Sequence, residues 1–126
     1  MKKKIIIIAG DPNSINSEII SKVWREINSS VKKKLYLIAN FNLINKQFKR
    51  LKSKTAIIKV KQIDENAITK KLKIIDIPLN FKNPFQVSLK DSRKYIIESF
   101  NLAHKLAKNK EVKGLINCPI NKKLLH

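Results

Sequence analysis

The sequence predicts an α/β fold in which a mixed, largely parallel sheet is flanked by helices. Three observations carry that expectation. Lys4 to Ala9 is a continuous β-branched run, the signature of a strand covered on both faces. Similar short runs recur at Lys34 to Ala39, Thr55 to Val60, Leu72 to Ile77 and Val112 to Ile116. Between most of them lie stretches with helical spacing of apolar residues, and strands alternating with helices imply crossover connections and parallel pairing.

Taken in order, the first strand ends at Gly10-Asp11-Pro12-Asn13-Ser14, a turn, and a helix is expected from about Asn16 to Asn28. Ile19, Ile20, Val23, Trp24 and Ile27 form its apolar stripe, with Ser14 or Asn16 as cap and Glu18 suited to the helix dipole. Asn40 caps a second helix through Leu51, with Phe41, Ile44, Phe48 and Leu51 inward. Lys61 to Lys71 is polar and reads mostly as loop. Pro78 stops the fourth strand, and the segment from Asn80 to Ser88 is irregular. The clearest helical pattern runs from Lys90 to Asn109, with Tyr95, Ile96, Ser99, Ala103, Leu106 and Ala107 on one face and Asp91 or Ser92 as cap. Nothing in the composition marks an internal boundary, so residues 1–126 read as one domain.

The net charge of +19 invites a polyanion partner, but its make-up argues otherwise. Of 28 basic residues only three are Arg (Arg25, Arg50, Arg93), whereas base-edge readers favour the Arg fork. Lys, Ile and Asn fill nearly half the chain, as A/T-rich codons alone would produce. The aromatics do not interleave with basic residues as a single-strand stacking platform requires. Nucleic-acid binding therefore stands as a secondary alternative. A single cysteine, Cys118, excludes an internal disulfide framework and fits a reducing compartment. The apolar run after Lys4 is too short for a signal h-region or a membrane span, and a cytoplasmic protein is expected.

Two places are candidates for chemistry. Gly10 to Glu18 joins a strand to a helix, where an anion meets a helix N-terminus. It is neither G-x-G-x-x-G nor a P-loop, and it reads equally as a tight, self-capping turn. Asp11 there is a candidate for contacting a ligand or a subunit interface. The second place is Lys113 to Leu125, read as a strand, a turn at Pro119 and the start of a helix. Asn117, Asn121 and Lys122 would then stand at the carboxyl mouth of a strand, where α/β proteins collect ligands. Lys122 opposes the dipole of the helix it begins, and a phosphate or carboxylate would relieve that. Cys118 reads as a small packing residue. His104 reads as a surface or structural residue. Two separated His and one Cys give no metal-ligand cluster.

Two blocks together resemble the 4-hydroxythreonine-4-phosphate dehydrogenase (PdxA) family. Ile8-Ala9-Gly10-Asp11-Pro12-Asn13-Ser14-Ile15-Asn16-Ser17-Glu18 is similar to that family's opening T-x-G-[DE]-P-x-G-I-G-P-E. Ser92 to Ala103, followed by Val112 to Lys122, is similar to its helix-strand-turn ending in T-[AG]-P-[IV]-[NH]-K. Val87-Ser88 also fits. Ser14, Asn16 and Ser17 stand where the family has Gly, Gly and Pro, and Asn117 and Cys118 replace Thr and Ala or Gly.

The resemblance implies an incomplete fold like that of isocitrate and isopropylmalate dehydrogenases, with residues 1–126 as the N-terminal portion of a longer enzyme. It implies a cytoplasmic homodimer that oxidises 4-phosphooxy-L-threonine with NAD or NADP and a divalent metal ion. Decarboxylation then gives 3-amino-2-oxopropyl phosphate for pyridoxal phosphate synthesis. The family's G-H-T-E block and metal-binding His would lie beyond His126, so His104 and His126 match no metal ligand, and the chain alone is expected to be inactive. The substrate-pocket or interface residues that carry over are Asp11, Asn121 and Lys122. A stand-alone, non-catalytic α/β binding domain is the other alternative.

Overall fold

The computed structural model describes residues 3–63 and 70–118. The elements are β1 (Lys4–Ile8), α1 (Asn16–Glu26), α2 (Ser29–Lys32), β2 (Leu35–Ala39), α3 (Phe41–Arg50), β3 (Ile57–Val60), β4 (Leu72–Asp76), α4 (Leu89–Ala107) and β5 (Val112–Asn117). They build an α/β fold of the expected class. Its five strands lie in the order β3-β4-β2-β1-β5, and every pairing is parallel. The mixed arrangement in the sequence reading resolves to its parallel limit.

Alternation along the strands divides the core. Ile6, Ile8, Tyr36, Ile38 and Ile75 project from one face and meet Tyr95 and Ala103 of α4. Leu35, Leu37, Ala39 and Ile74 project from the other and meet Ile20 and Trp24 of α1 and Ile44 and Phe48 of α3. With both faces covered, the central strands have no need of a polar side. That is why β2 is buried at all five positions and the runs read as continuously apolar.

Several local expectations need correction. The N-cap of α1 is Ile15, with no side-chain cap. Ser14 Oγ accepts from the Asn16 N–H at 3.1 Å, and Asn16 Nδ2 donates back to the Ala9 carbonyl at 2.9 Å. Ser14 is thus used inside the turn, and Asn16 ties the helix start back to the end of β1. The α1 stripe splits: Ile20 and Trp24 are buried, while Ile19 and Val23 are exposed. The helix ends at Glu26, and α2 occupies the segment behind it, capped by Asn28.

In α3 the Asn40 cap holds, its side chain accepting from the Leu43 N–H at 2.9 Å. Leu43 and Gln47 join Ile44 and Phe48 inside, whereas Phe41 is half-buried and Leu51 is exposed. Helix α4 is capped by Ser88, not Asp91 or Ser92. Ser88 Oγ accepts from the Asp91 N–H at 3.1 Å, the N-cap bond, and donates to Asp91 Oδ2 at 2.8 Å, which holds the capping hydroxyl in place. Ala107 at its far end is exposed.

Candidate functional site

In a parallel sheet all strands deliver their carboxyl ends to one edge, and the connections leaving that edge make the rim where ligands bind. Here the rim collects the turn after β1, Asn40 after β2, the loop after β4 and the end of β5. The ladder extends into it: the Ala9 N–H donates to the Ile38 carbonyl at 3.2 Å, Ile77 to Ala39 at 3.0 Å and Cys118 to Ile8 at 3.1 Å.

The β1–α1 turn is fixed from within and from without. Gly10 has φ of 78°, a left-handed conformation that a side chain would strain. Asp11 Oδ1 accepts from the Asn13 N–H at 2.9 Å, and the Asp11 carbonyl accepts from Ser14 Oγ at 2.7 Å. Asn13 then clasps the loop before α4. Its Nδ2 donates to the Val87 carbonyl at 2.8 Å, while its Oδ1 accepts from the Val87 N–H at 2.7 Å. Beneath this clasp the buried Gln47 Nε2 donates to two carbonyls, Pro12 at 2.8 Å and Pro84 at 2.6 Å.

A second knot lies under β2 and β4. The Asn40 N–H donates to the Tyr95 hydroxyl at 2.9 Å, and Asn40 Nδ2 donates to the Ile77 carbonyl at 2.8 Å. Burial pushes the Tyr95 phenol above its ordinary range, so it stays neutral and can serve as an acceptor. Asp76 Oδ1 accepts from the Phe41 N–H at 2.8 Å, which holds the start of α3 against the end of β4. Alongside the clasp, an open cleft of about 490 Å³ is lined by Asn80, Phe81, Lys82, Gln86, Val87, Ser88 and Asp91.

Of the residues singled out from sequence, Asp11 lies on this rim, half-buried. Its Oδ1 is used by its own turn, while Oδ2 carries no hydrogen bond among the described residues. Asn117 ends β5 in register with Ile8 of β1, so it stands at the same sheet edge as Asp11. Asn121, Lys122 and His126 lie outside the described residues. His104 is exposed on α4. Cys118 is half-buried against the α1-side core, and burial raises its thiol pKa, which disfavours a thiolate.

Among the described residues no three His, Cys, Asp or Glu gather as metal donors, so the metal ion that the resemblance implies finds no ligand set there. Sequence reasoning missed Asn13, Gln47 and Tyr95 as the residues holding the rim. Gln47 did leave a signal, as a polar residue on the apolar side of α3.

An all-parallel sheet with helices on both faces and polar turns knitted at its carboxyl edge defines a parallel α/β protein. The family model described as "Pyridoxal phosphate biosynthetic protein PdxA" matches residues 12–126, and the chain belongs to that family. It is 32% identical over 126 residues to 4-hydroxythreonine-4-phosphate dehydrogenase of Helicobacter pylori (strain J99 / ATCC 700824), spanning 96% of this chain and 36% of that protein. Solved structures of that name share its fold. One from Salmonella typhimurium has a TM-score of 0.83 at 22% identity, covering 100% of this chain and 40% of that one. One from Burkholderia phymatum has a TM-score of 0.82 at 18% identity, covering 100% and 39%. The chain thus spans well under half the length of the relatives it matches.

Proposed function

We propose that this chain forms the N-terminal part of a 4-hydroxythreonine-4-phosphate dehydrogenase. The whole enzyme oxidises 4-phosphooxy-L-threonine with NAD or NADP and a divalent metal ion, and the product loses CO2 to give 3-amino-2-oxopropyl phosphate in pyridoxal phosphate synthesis. The family match over residues 12–126 carries this reading. In it, the chain supplies one wall of the substrate cleft. Asp11 spends one carboxylate oxygen on its turn and offers the other to a donor on the bound molecule, with Asn121 and Lys122 as further pocket residues. No step is assigned to the metal or the nicotinamide from these residues. The working enzyme is a cytoplasmic homodimer, and the 126-residue chain alone turns nothing over.

The test is a chimera in which this chain replaces the matching segment of the Helicobacter pylori enzyme. The chimera is expected to reduce NAD or NADP when given 4-phosphooxy-L-threonine, while the isolated chain does not. A chimera that unfolds cooperatively yet shows no substrate-dependent reduction would sink the reading. Turnover by the isolated chain would sink its division of labour.

A further inference from the structure

A small cavity of about 90 Å³ lies between α1 and the end of α3, and it shares no lining residue with the rim cleft. Its wall includes Glu18, Ser21, Lys22 and Arg25 of α1, with Lys52 and Ser53 just behind α3. Pockets for drug-sized ligands take about 300–1,000 Å³. This one has room for a single tetrahedral group and not for a nucleotide.

Charge in this cavity is unbalanced. Three cations face one carboxylate, and Glu18 is drawn to Lys22 at 3.4 Å. Arg25 and Lys52 have no carboxylate partner among the described residues. The hydroxyl protons are unbalanced as well. The buried Ser21 Oγ touches Ser53 Oγ and lies 3.2 Å from Thr55 Oγ1, while Ser53 Oγ also accepts from the Thr55 N–H at 3.2 Å. Three hydroxyls carry three protons, and two mutual contacts use two of them. The third has no acceptor among the described residues.

Lys52 adds a backbone argument. Helix α3 closes with a Schellman pattern, in which the Lys52 N–H donates to the Lys49 carbonyl at 3.1 Å and the Ser53 N–H to the Phe48 carbonyl at 2.9 Å. The left-handed position of that pattern usually holds glycine, yet here it holds Lys52 with φ of 56°. The helix dipoles account for cations at the ends of α1 and α3. They do not account for a lysine in a strained position, for Lys22 in the middle of α1, or for a spare hydroxyl proton.

We propose that this cavity binds a phosphoryl group, held by Arg25, Lys52 and the Ser21–Ser53–Thr55 hydroxyl cluster. Such a group brings about 1.5 to 2 negative charges near neutral pH and three acceptor oxygens. The charge matches the two cations left over, and one oxygen gives the spare proton its acceptor. A carboxylate would bring a single charge and leave one cation unmatched. The site stands apart from the dehydrogenase reading and from its substrate cleft.

The experiment is an amide-shift titration of the isotope-labelled chain at fixed pH and ionic strength, with sodium phosphate replacing sodium chloride. The Ser21 and Ser53 amides should shift and saturate in the millimolar range, with the Ile97 amide of α4 unmoved. Glycine suits the left-handed position better than lysine, so Lys52→Gly should unfold at no lower urea concentration than the parent. It should nonetheless bind phosphate about fivefold more weakly, the loss of one exposed charge contact. Shifts that chloride reproduces, no saturation, or a Lys52→Gly variant that binds as tightly as the parent would overturn the proposal. A chain without dispersed amides moves the measurement to the chimera, where dialysis against radiolabelled phosphate should show less bound per chain in Lys52→Gly, and equal amounts would overturn it. A parallel titration with glycerol phosphate separates the sources: tighter binding than inorganic phosphate assigns the site to an ester, weaker binding to the free ion, and each supports a phosphoryl site.

Discussion

Replacing Gln47 by Leu keeps the volume of a buried side chain and deletes the two hydrogen bonds it donates. Both acceptors are carbonyls of buried prolines, Pro12 and Pro84, which belong to different connections of the rim. A buried carbonyl left without a donor costs about 1–3 kcal/mol. Two would cost about 2–6 kcal/mol, and second lone pairs and entering water bring the expectation to about 2–4 kcal/mol. The similar volume keeps the cavity contribution small, so the loss reports chiefly the amide. Urea unfolding is the assay. With a slope of roughly 2 kcal/mol/M the midpoint should fall by about 1–2 M, with the slope itself unchanged. Amide exchange should also quicken at Val87, whose N–H is held by Asn13 on the same clasp. A loss below about 0.5 kcal/mol, the size of an ordinary surface substitution, would refute the view that Gln47 joins the two connections.

Two further outcomes follow from the same geometry. Tyr95→Phe leaves the buried Asn40 N–H without its acceptor and should cost about 1–3 kcal/mol in urea unfolding, and a variant as stable as the parent would show that bond to be dispensable. Burial, and secondarily the Lys4 ammonium, lower the pKa of the fully buried Lys73 from 10.5 to about 8, so between those values the unfolded chain binds more protons and stability gains with rising pH. The stability of the parent minus that of Lys73→Met, measured across that range, should therefore climb, and a flat difference would sink the assignment.

The strands and the long helices were legible because their signals are local. β-branched runs covered on both faces need no tertiary information, and α4 carries its apolar stripe on its own. Caps and turns were less legible. Ser14 and Asn16 have capping chemistry, yet Ser14 is used within the turn and Asn16 on the end of β1, because the turn after Gly10 brings the Ala9 carbonyl within reach of Asn16. Ser88 was passed over for Asp91 although Asp91 is the residue whose N–H it caps. The exposure of Ile19 and Val23 was not readable at all: helical spacing shows which residues share a flank, not whether anything covers it. The rim was half legible. Asp11 and Asn117 were placed at strand ends by position alone. The bonds that hold the rim span large separations, Asn13 with Val87 and Gln47 with Pro84, and no local pattern encodes them.

The chemistry of those long-range bonds bears on how the rim keeps its shape in so basic a chain. The chain carries 28 Lys and Arg against nine Asp and Glu, so ion pairs cannot fix its loops without leaving cations over. Among the described residues the salt bridges are Glu18 with Lys22 and Lys94 with Glu98, both along exposed helix faces and worth little. The rim is held largely by neutral amides, beside the Asp11 and Asp76 carboxylates, which accept from backbone N–H groups. Asn13 and Asn40 each donate and accept, and Gln47 donates twice. Neutral bonds of this kind are indifferent to salt and to pH across the physiological range, whereas exposed ion pairs weaken as salt rises. A frame so built keeps its shape without drawing on the chain's excess lysines, so the geometry of the rim does not depend on its charge.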